Sequence, residues 1–176
     1  MKRPTRIWWA RPRKLCAMER PGGGGRSHRP DRREAEIEYL QSSGIRLVVS
    51  TMTTRHGLAE YEAAGLEWHH VPVESCAGDP AEAALEELLA FLRRELRRRG
   101  GVAVHANRRT DFVAALCAAH LHEARGLDPA VGLAAAVESG LSVTPEAAAL
   151  VGVDYEAVQP RSRIAAATSS GLSVIT

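Results

Sequence analysis

An α/β fold with a mostly parallel central sheet flanked by helices is predicted, and three observations predict it. Short apolar runs alternate along the chain with segments of helical periodicity, as expected when strands and helices take turns. The runs at 45–50 and 102–106 are nearly uninterrupted and rich in valine, which suits buried strands. Glycine, proline and capping residues punctuate the boundaries between them. A length of 176 residues accommodates one domain with a real core. Hydrophobic content of 45% and charged content of 25% are those of a globular protein, and the abundance of alanine beside only 5% aromatic residues predicts helices packed through small side chains.

The elements follow in order. Residues 7–10 and 14–18 are candidate edge strands, separated by Arg11, Pro12 and Arg13. Four consecutive glycines at 22–25 cannot hold a regular element cheaply and read as a flexible linker. They sit beside arginines but lack the Gly-Lys-Ser/Thr ending of a nucleotide-binding loop. Asp31 and Glu34 form a candidate capping box for a helix through Ile37 and Leu40, stopped before Gly44. Strand 45–50 comes next, then a helix at 56–64 ended by Gly65, and a strand at 66–73. Asp79, Pro80 and Glu82 form a second capping box. The helix after it carries Leu85, Leu88, Leu89, Leu92 and Leu96 on one stripe. Its end, Arg97, Arg98 and Arg99, complements the helix dipole and reads as a solvated terminus. Strand 102–106 leads into a helix at 112–125, Asp128 and Pro129 open another through Val137, and Thr144 and Pro145 open the last. The expected division is residues 1–30 as edge strands and glycine loop belonging to the domain, 31–154 as the α/β core, and 155–176 as a disordered tail.

Charge and cysteine content narrow the function classes. The formal net charge is only +2, with arginine and lysine concentrated in the first third, which argues against nucleic acid as the partner while leaving a basic arm open. Cys16, Cys76 and Cys117 show neither a disulfide framework nor zinc spacing and fit reduced intracellular thiols. The apolar run at 7–10 is too short for a signal peptide or a membrane span, so a cytoplasmic location without a membrane partner is expected. His69 and His70 are adjacent on a strand, and His120 and His122 are two apart on a helix. Each pair points its rings apart, so no metal site is expected.

The stretch that concentrates chemistry is residues 102–111, an apolar strand running into a basic turn that opens an alanine-rich helix. Unpaired backbone N–H groups at a helix N-terminus carry partial positive charge, and Arg108 and Arg109 reinforce it, which marks a candidate oxyanion site. The loop at 74–78 also leaves a strand's carboxyl end, so the two loops are placed to share one cleft.

These stretches resemble the compact cysteine-dependent protein tyrosine and dual-specificity phosphatases, over roughly residues 8–153. The resemblance is carried by residues 14–22, 44–50 and 65–73, by Val104-His105, by Arg109-Thr110 opening a helix, and by Leu141-Ser142-Val143-Thr144-Pro145-Glu146 before the last helix. It implies a dual-specificity-phosphatase-like fold, a phosphate-bearing ligand or phosphoprotein as partner, no cofactor, and phosphate held by His105, Asn107, Arg108, Arg109 and Thr110. In that family the loop reads His-Cys, five variable residues, Arg and then Ser or Thr. The thiolate attacks phosphorus, the arginine fork and loop N–H groups hold the oxygens, and a carboxylic acid protonates the leaving group.

Here the motif departs from the pattern. Ala106 stands at the position of the nucleophile, and counting back from Arg109 or Arg108 reaches Ala103 or Val102. Anchored on His105 and Arg109, the loop is shorter by three residues. Glu74 is the candidate general acid, with Asp79 better explained as a cap. The expectation is therefore a phosphatase-like binding domain that is catalytically impaired or inactive. The alternative is an active phosphomonoester hydrolase using another nucleophile, such as Cys76.

Overall fold

Each apolar run of the sequence becomes a strand of a single sheet in the structure, a computed structural model that describes residues 1–158. The strands are β1 (Ile7–Arg11), β2 (Leu15–Glu19), β3 (Ile45–Ser50), β4 (Glu67–His70) and β5 (Gly101–Ala106), in the spatial order β1-β2-β5-β3-β4. Only β1 runs antiparallel, against β2. The second strand was expected at an edge and is instead interior, between β1 and β5. Its run Leu15, Cys16, Ala17 and Met18 is fully buried, which an edge position would not allow.

Among the described residues six helices cover the sheet: α1 (Pro30–Ser42), α2 (Leu58–Ala63), α3 (Asp79–Glu95), α4 (Asp111–Arg125), α5 (Pro129–Glu138) and α6 (Pro145–Leu150). Side chains alternate across the strands and so divide the core in two. Cys16, Met18, Ile45, Val48 and Ala103 pack with Ile37 and Leu40 of α1 and with Leu58 and Tyr61 of α2. Leu15, Ala17, Leu47, Val49, Val102 and Val104 face α3 to α6, where α4 contributes an unbroken buried stretch from Phe112 to Ala118. The alanines of that stretch let α4 lie close to the sheet and to α5, as the composition suggested.

The helix starts show which local signals prevail. Asp128 Oδ1 accepts from the Ala130 N–H at 2.9 Å, and Thr144 Oγ1 accepts from the Ala147 N–H at 3.2 Å, so both cap as expected. The two capping boxes do not form. Helix α1 already begins at Pro30 and α3 at Asp79, and their N-cap residues, Arg29 and Gly78, make no side-chain bond. A proline in the first turn, with its φ pre-set for helix, draws the start of α1 two residues and that of α3 one residue ahead of where caps at Asp31 and Asp79 would place it. Gly44 takes φ 89° after α1, as its stop position requires.

The expected disordered tail from residue 155 begins with structure. Tyr155–Val158 form a 3₁₀ turn, and Val158 is only 2% exposed because it seals the apolar layer beneath α5 and α6. Residues 159–176 lie outside the described residues. Among the described residues no helix is long and apolar enough to cross a membrane.

Candidate functional site

The parallel strands β3 and β5 end side by side, with Ser50 paired to His105, and the loops leaving them open a cleft of about 580 Å³. Its walls come from residues 51–53 after β3, 73–77 after β4, and 106–109 with 111–112 where β5 passes into α4, with Thr144 and Glu146 closing one side. The loops at 74–78 and 106–111 thus share one cleft, as their positions in the sequence implied.

Within the 105–111 loop the side chains have different placements. His105 is fully buried and does not line the cleft. Its ring faces the α1–α2 side, where Nε2 lies 2.9 Å from the Tyr61 hydroxyl. Burial lowers its pKa to about 4, so the ring is neutral at physiological pH. The His105 carbonyl accepts from the Thr51 N–H at 2.9 Å and from the Thr51 hydroxyl at 3.0 Å, which pins the start of the loop. Ala106 presents its methyl to the cleft, while its carbonyl accepts from the Arg20 N–H at 2.8 Å. Arg108 and Arg109 are exposed at the cleft rim and also border an adjoining groove beside Ser142. The backbone N–H groups of Asn107, Arg108 and Arg109 have no acceptor among the described residues, so three successive donors are free at the approach to α4.

Thr110 is buried and serves as a lock. Its N–H donates to Ser142 Oγ at 3.2 Å, and its Oγ1 accepts from the Ser142 N–H at 2.9 Å. The 141–146 segment is therefore bonded directly to the first turn of α4.

Asp111 was not singled out from the sequence. Its Oδ1 accepts from the Phe112 N–H at 3.0 Å, and its Oδ2 from the Thr144 hydroxyl at 3.0 Å, leaving a carboxylate inside the cleft beside Cys76. An acidic residue in a helix's first turn was the available signal, and it has an ordinary reading as a dipole partner. Glu74 is exposed and lines the cleft, whereas Asp79 belongs to α3 outside it.

Cys76 lines the cleft yet is only 6% exposed. Burial pushes its thiol well above the ordinary range, and the Asp111 and Glu146 carboxylates add to this while Arg109 opposes it. Cys16 and Cys117 are buried in the core with thiols likewise pushed up by burial. His69 stacks on Phe91 with ring centroids 4.1 Å apart, and His70 Nε2 lies 2.7 Å from the Met52 carbonyl oxygen. Among the described residues no group of three or more His, Cys, Asp or Glu side chains is arranged to hold a metal ion.

The glycine run, expected to be a flexible linker, is a buried strut behind this loop. Residues 21–24 are buried. The Gly22 N–H donates to Glu36 Oε2 at 2.9 Å, the Gly24 N–H to Glu19 Oε1 at 3.0 Å, and Arg20 Nε to the Gly23 carbonyl at 3.0 Å. Glu36 is itself buried and paired with Arg32. The Gly25 N–H reaches Asn107 Oδ1 at 3.0 Å, so the Asn107 side chain turns toward the strut. Gly24 is required by contact, since a Cβ there would stand 2.5 Å from the Asn107 carbonyl oxygen.

No protein-family model matches the chain, and a search of curated proteins finds no significant match. Solved structures do match. Human DUSP28 superposes with a TM-score of 0.63 at 22% identity, over 85% of this chain and 94% of that one. P. aeruginosa TpbA, as a cysteine-to-serine variant in complex with pTyr, gives 0.62 at 19% identity over 88% and 86%. PTPMT1 in complex with PI(5)P gives 0.62 at 17% over 93% and 99%. The five-stranded sheet flanked by helices is thus the fold of these phosphatases, spanning nearly their whole length.

Proposed function

We propose that this chain, with its dual-specificity-phosphatase-like fold, binds a phosphate-bearing ligand or phosphoprotein in the cleft at the 105–111 loop and does not turn it over by the thiolate route. One observation carries the reading: three free backbone N–H groups and two exposed arginines surround a point where β5 offers only the Ala106 methyl. Phosphate oxygens need donors and cations, which this loop supplies. Covalent phosphoryl transfer needs a nucleophile within reach, and Ala106 has none. Two of the structural neighbours were solved with pTyr and PI(5)P, each of which carries a phosphate monoester group, which supports that ligand class here. The three buried, unpaired cysteines support a reducing, cytoplasmic setting.

The loop residues divide the work of binding. Arg108 and Arg109 provide the charge, Asn107 holds the loop against the glycine strut, and Thr110 fixes the first turn of α4 through Ser142. Glu74, exposed and lining the cleft, is the candidate proton donor, but without a nucleophile it supports little turnover. A second reading, an active hydrolase, is favoured by the presence of Cys76 in the cleft beside Arg109. Its thiol is held protonated by burial and by two carboxylates, the reverse of what an attacking cysteine requires.

Turnover of an aryl phosphate between mildly acidic and neutral pH, with Arg109→Ala and Cys76→Ser alongside, tests both readings. The expected result is no turnover above background, with thermal stabilisation by phosphate that Arg109→Ala abolishes. Turnover that disappears in Cys76→Ser would establish the second reading. Absence of both turnover and stabilisation would leave the domain without a phosphate ligand at this cleft.

A further inference from the structure

We infer that the pole of the molecule opposite the cleft docks on an anionic lipid bilayer surface. Helix α4 starts at the cleft and, at about 1.5 Å per residue, ends at Arg125 roughly 20 Å away. Three separate segments meet there. Lys14 Nζ donates to the carbonyls of Arg98 and Gly100 at 3.3 Å each, which joins the β1–β2 turn to the end of α3. Arg11 Nη1 lies 3.5 Å from His120 Nε2, and Arg93 lies 3.8 Å from Glu123, which joins both to the end of α4.

The acids of this pole are already committed. Glu95 pairs with Arg46, Arg94 and Arg98, Glu67 with Arg46 and Arg98, and Glu123 with Arg93. Asp128 caps α5. Exposed Arg13, Arg97, Arg99 and Arg125 have no ion-pair partner among the described residues. The dipoles of α3 and α4 account for cations in their last turns, Arg125 included, but not for Arg13 converging on the same pole from the β1–β2 turn.

Apolar exposure lies beside these charges. Leu127 is 36% and Val131 55% exposed, and apart from Met1 they are the exposed large hydrophobic residues among those described. The turn that presents Leu127 is closed by His122 Nδ1, 3.1 Å from the Leu127 carbonyl oxygen. Arginines beside two projecting aliphatic side chains suit a bilayer interface, where the guanidinium forks take lipid phosphates and the aliphatic groups enter the headgroup region. Single-stranded nucleic acid would call for aromatic stacking, and no Phe, Trp or Tyr side chain among the described residues is exposed. The expectation of no membrane partner rested on the lack of a spanning segment, which does not bear on a surface contact. This surface exists only once residues 11–14, 93–100 and 120–131 are folded together.

Co-sedimentation of the full chain with phosphatidylcholine vesicles, with and without phosphatidylserine, tests the inference. Binding is expected only to the phosphatidylserine vesicles and should fall with added salt. It should weaken about tenfold or more in Arg97→Glu/Arg99→Glu. Leu127→Ser/Val131→Ser should weaken vesicle binding while leaving heparin binding unchanged, and Arg109→Ala should bind vesicles like the unaltered chain. Circular dichroism of each variant separates a lost surface from a lost fold. Three outcomes would overturn the inference: no binding to phosphatidylserine vesicles, equal binding to neutral ones, or vesicle binding indifferent to the Leu127/Val131 change. The last would mark a general polyanion surface instead.

Discussion

Residues 24, 107 and 111 set the character of the cleft by contact and charge. A methyl at Gly24 meets the Asn107 carbonyl oxygen at 2.5 Å and Glu19 Oε1 at 2.8 Å, and the first of these is backbone that cannot swing away. Gly24→Ala should therefore cost about 1–3 kcal/mol in denaturant unfolding and displace the 106–109 loop. Phosphate affinity should fall with it, and an unchanged midpoint would show that the strut yields freely. Asp111 acts through charge. Its carboxylate faces the same cleft as Arg109, so Asp111→Asn should raise phosphate affinity several-fold, about 1 kcal/mol, the size of a charge pair about 4 Å apart screened by water in an open cleft. The same change should lower the Cys76 thiol pKa, which thiol alkylation rates against pH would report. A variant that binds phosphate more weakly would place the ligand away from α4.

Among the elements, the Thr110–Ser142 pair ties the site to the fold. Thr110→Val leaves the Ser142 N–H without its buried acceptor and should destabilise the protein by about 1–3 kcal/mol, whereas Thr110→Ser should restore most of that. Thermal unfolding of both variants checks this. The strands and most helices were legible in the sequence because burial alone decides them. A run such as Leu47-Val48-Val49 has nowhere else to go, and the leucine stripe of α3 needs a single apolar partner. What was not legible depended on partners distant in the chain. The glycine run reads as a linker until Glu36 and Asn107 are brought to it, and Asn107 lies 82 residues from Gly25. The capping boxes were misplaced because proline at the first turn outweighed the carboxylate signal. In the site, the two arginines and the shared cleft were visible as helix N-terminus chemistry. The withdrawal of His105 toward Tyr61 and the presence of Asp111 were not, since both follow from which way a side chain leaves a loop.

Over the whole molecule, buried histidines couple stability to pH. Burial lowers the pKa of His105 from 6.5 to about 4, and that of His120 also to about 4. As pH falls from 6.5 toward 4, the unfolded chain takes up these protons before the folded one does, so folding stability declines through that window and is flat above it. For His105 the difference amounts to about 3 kcal/mol once pH reaches 4. Urea unfolding midpoints at neutral pH and near pH 4.5 should show the decline, and His105→Gln should remove about half of it, leaving the part due to His120. The central property proposed for the molecule is a cleft that holds a phosphate monoester and leaves it intact. Phosphorus NMR of an aryl phosphate incubated with the protein tests this most directly. A broadened ester resonance is expected, sharpened again in Arg109→Ala, with no inorganic phosphate accumulating. Growth of an inorganic phosphate resonance that depends on the protein would contradict it.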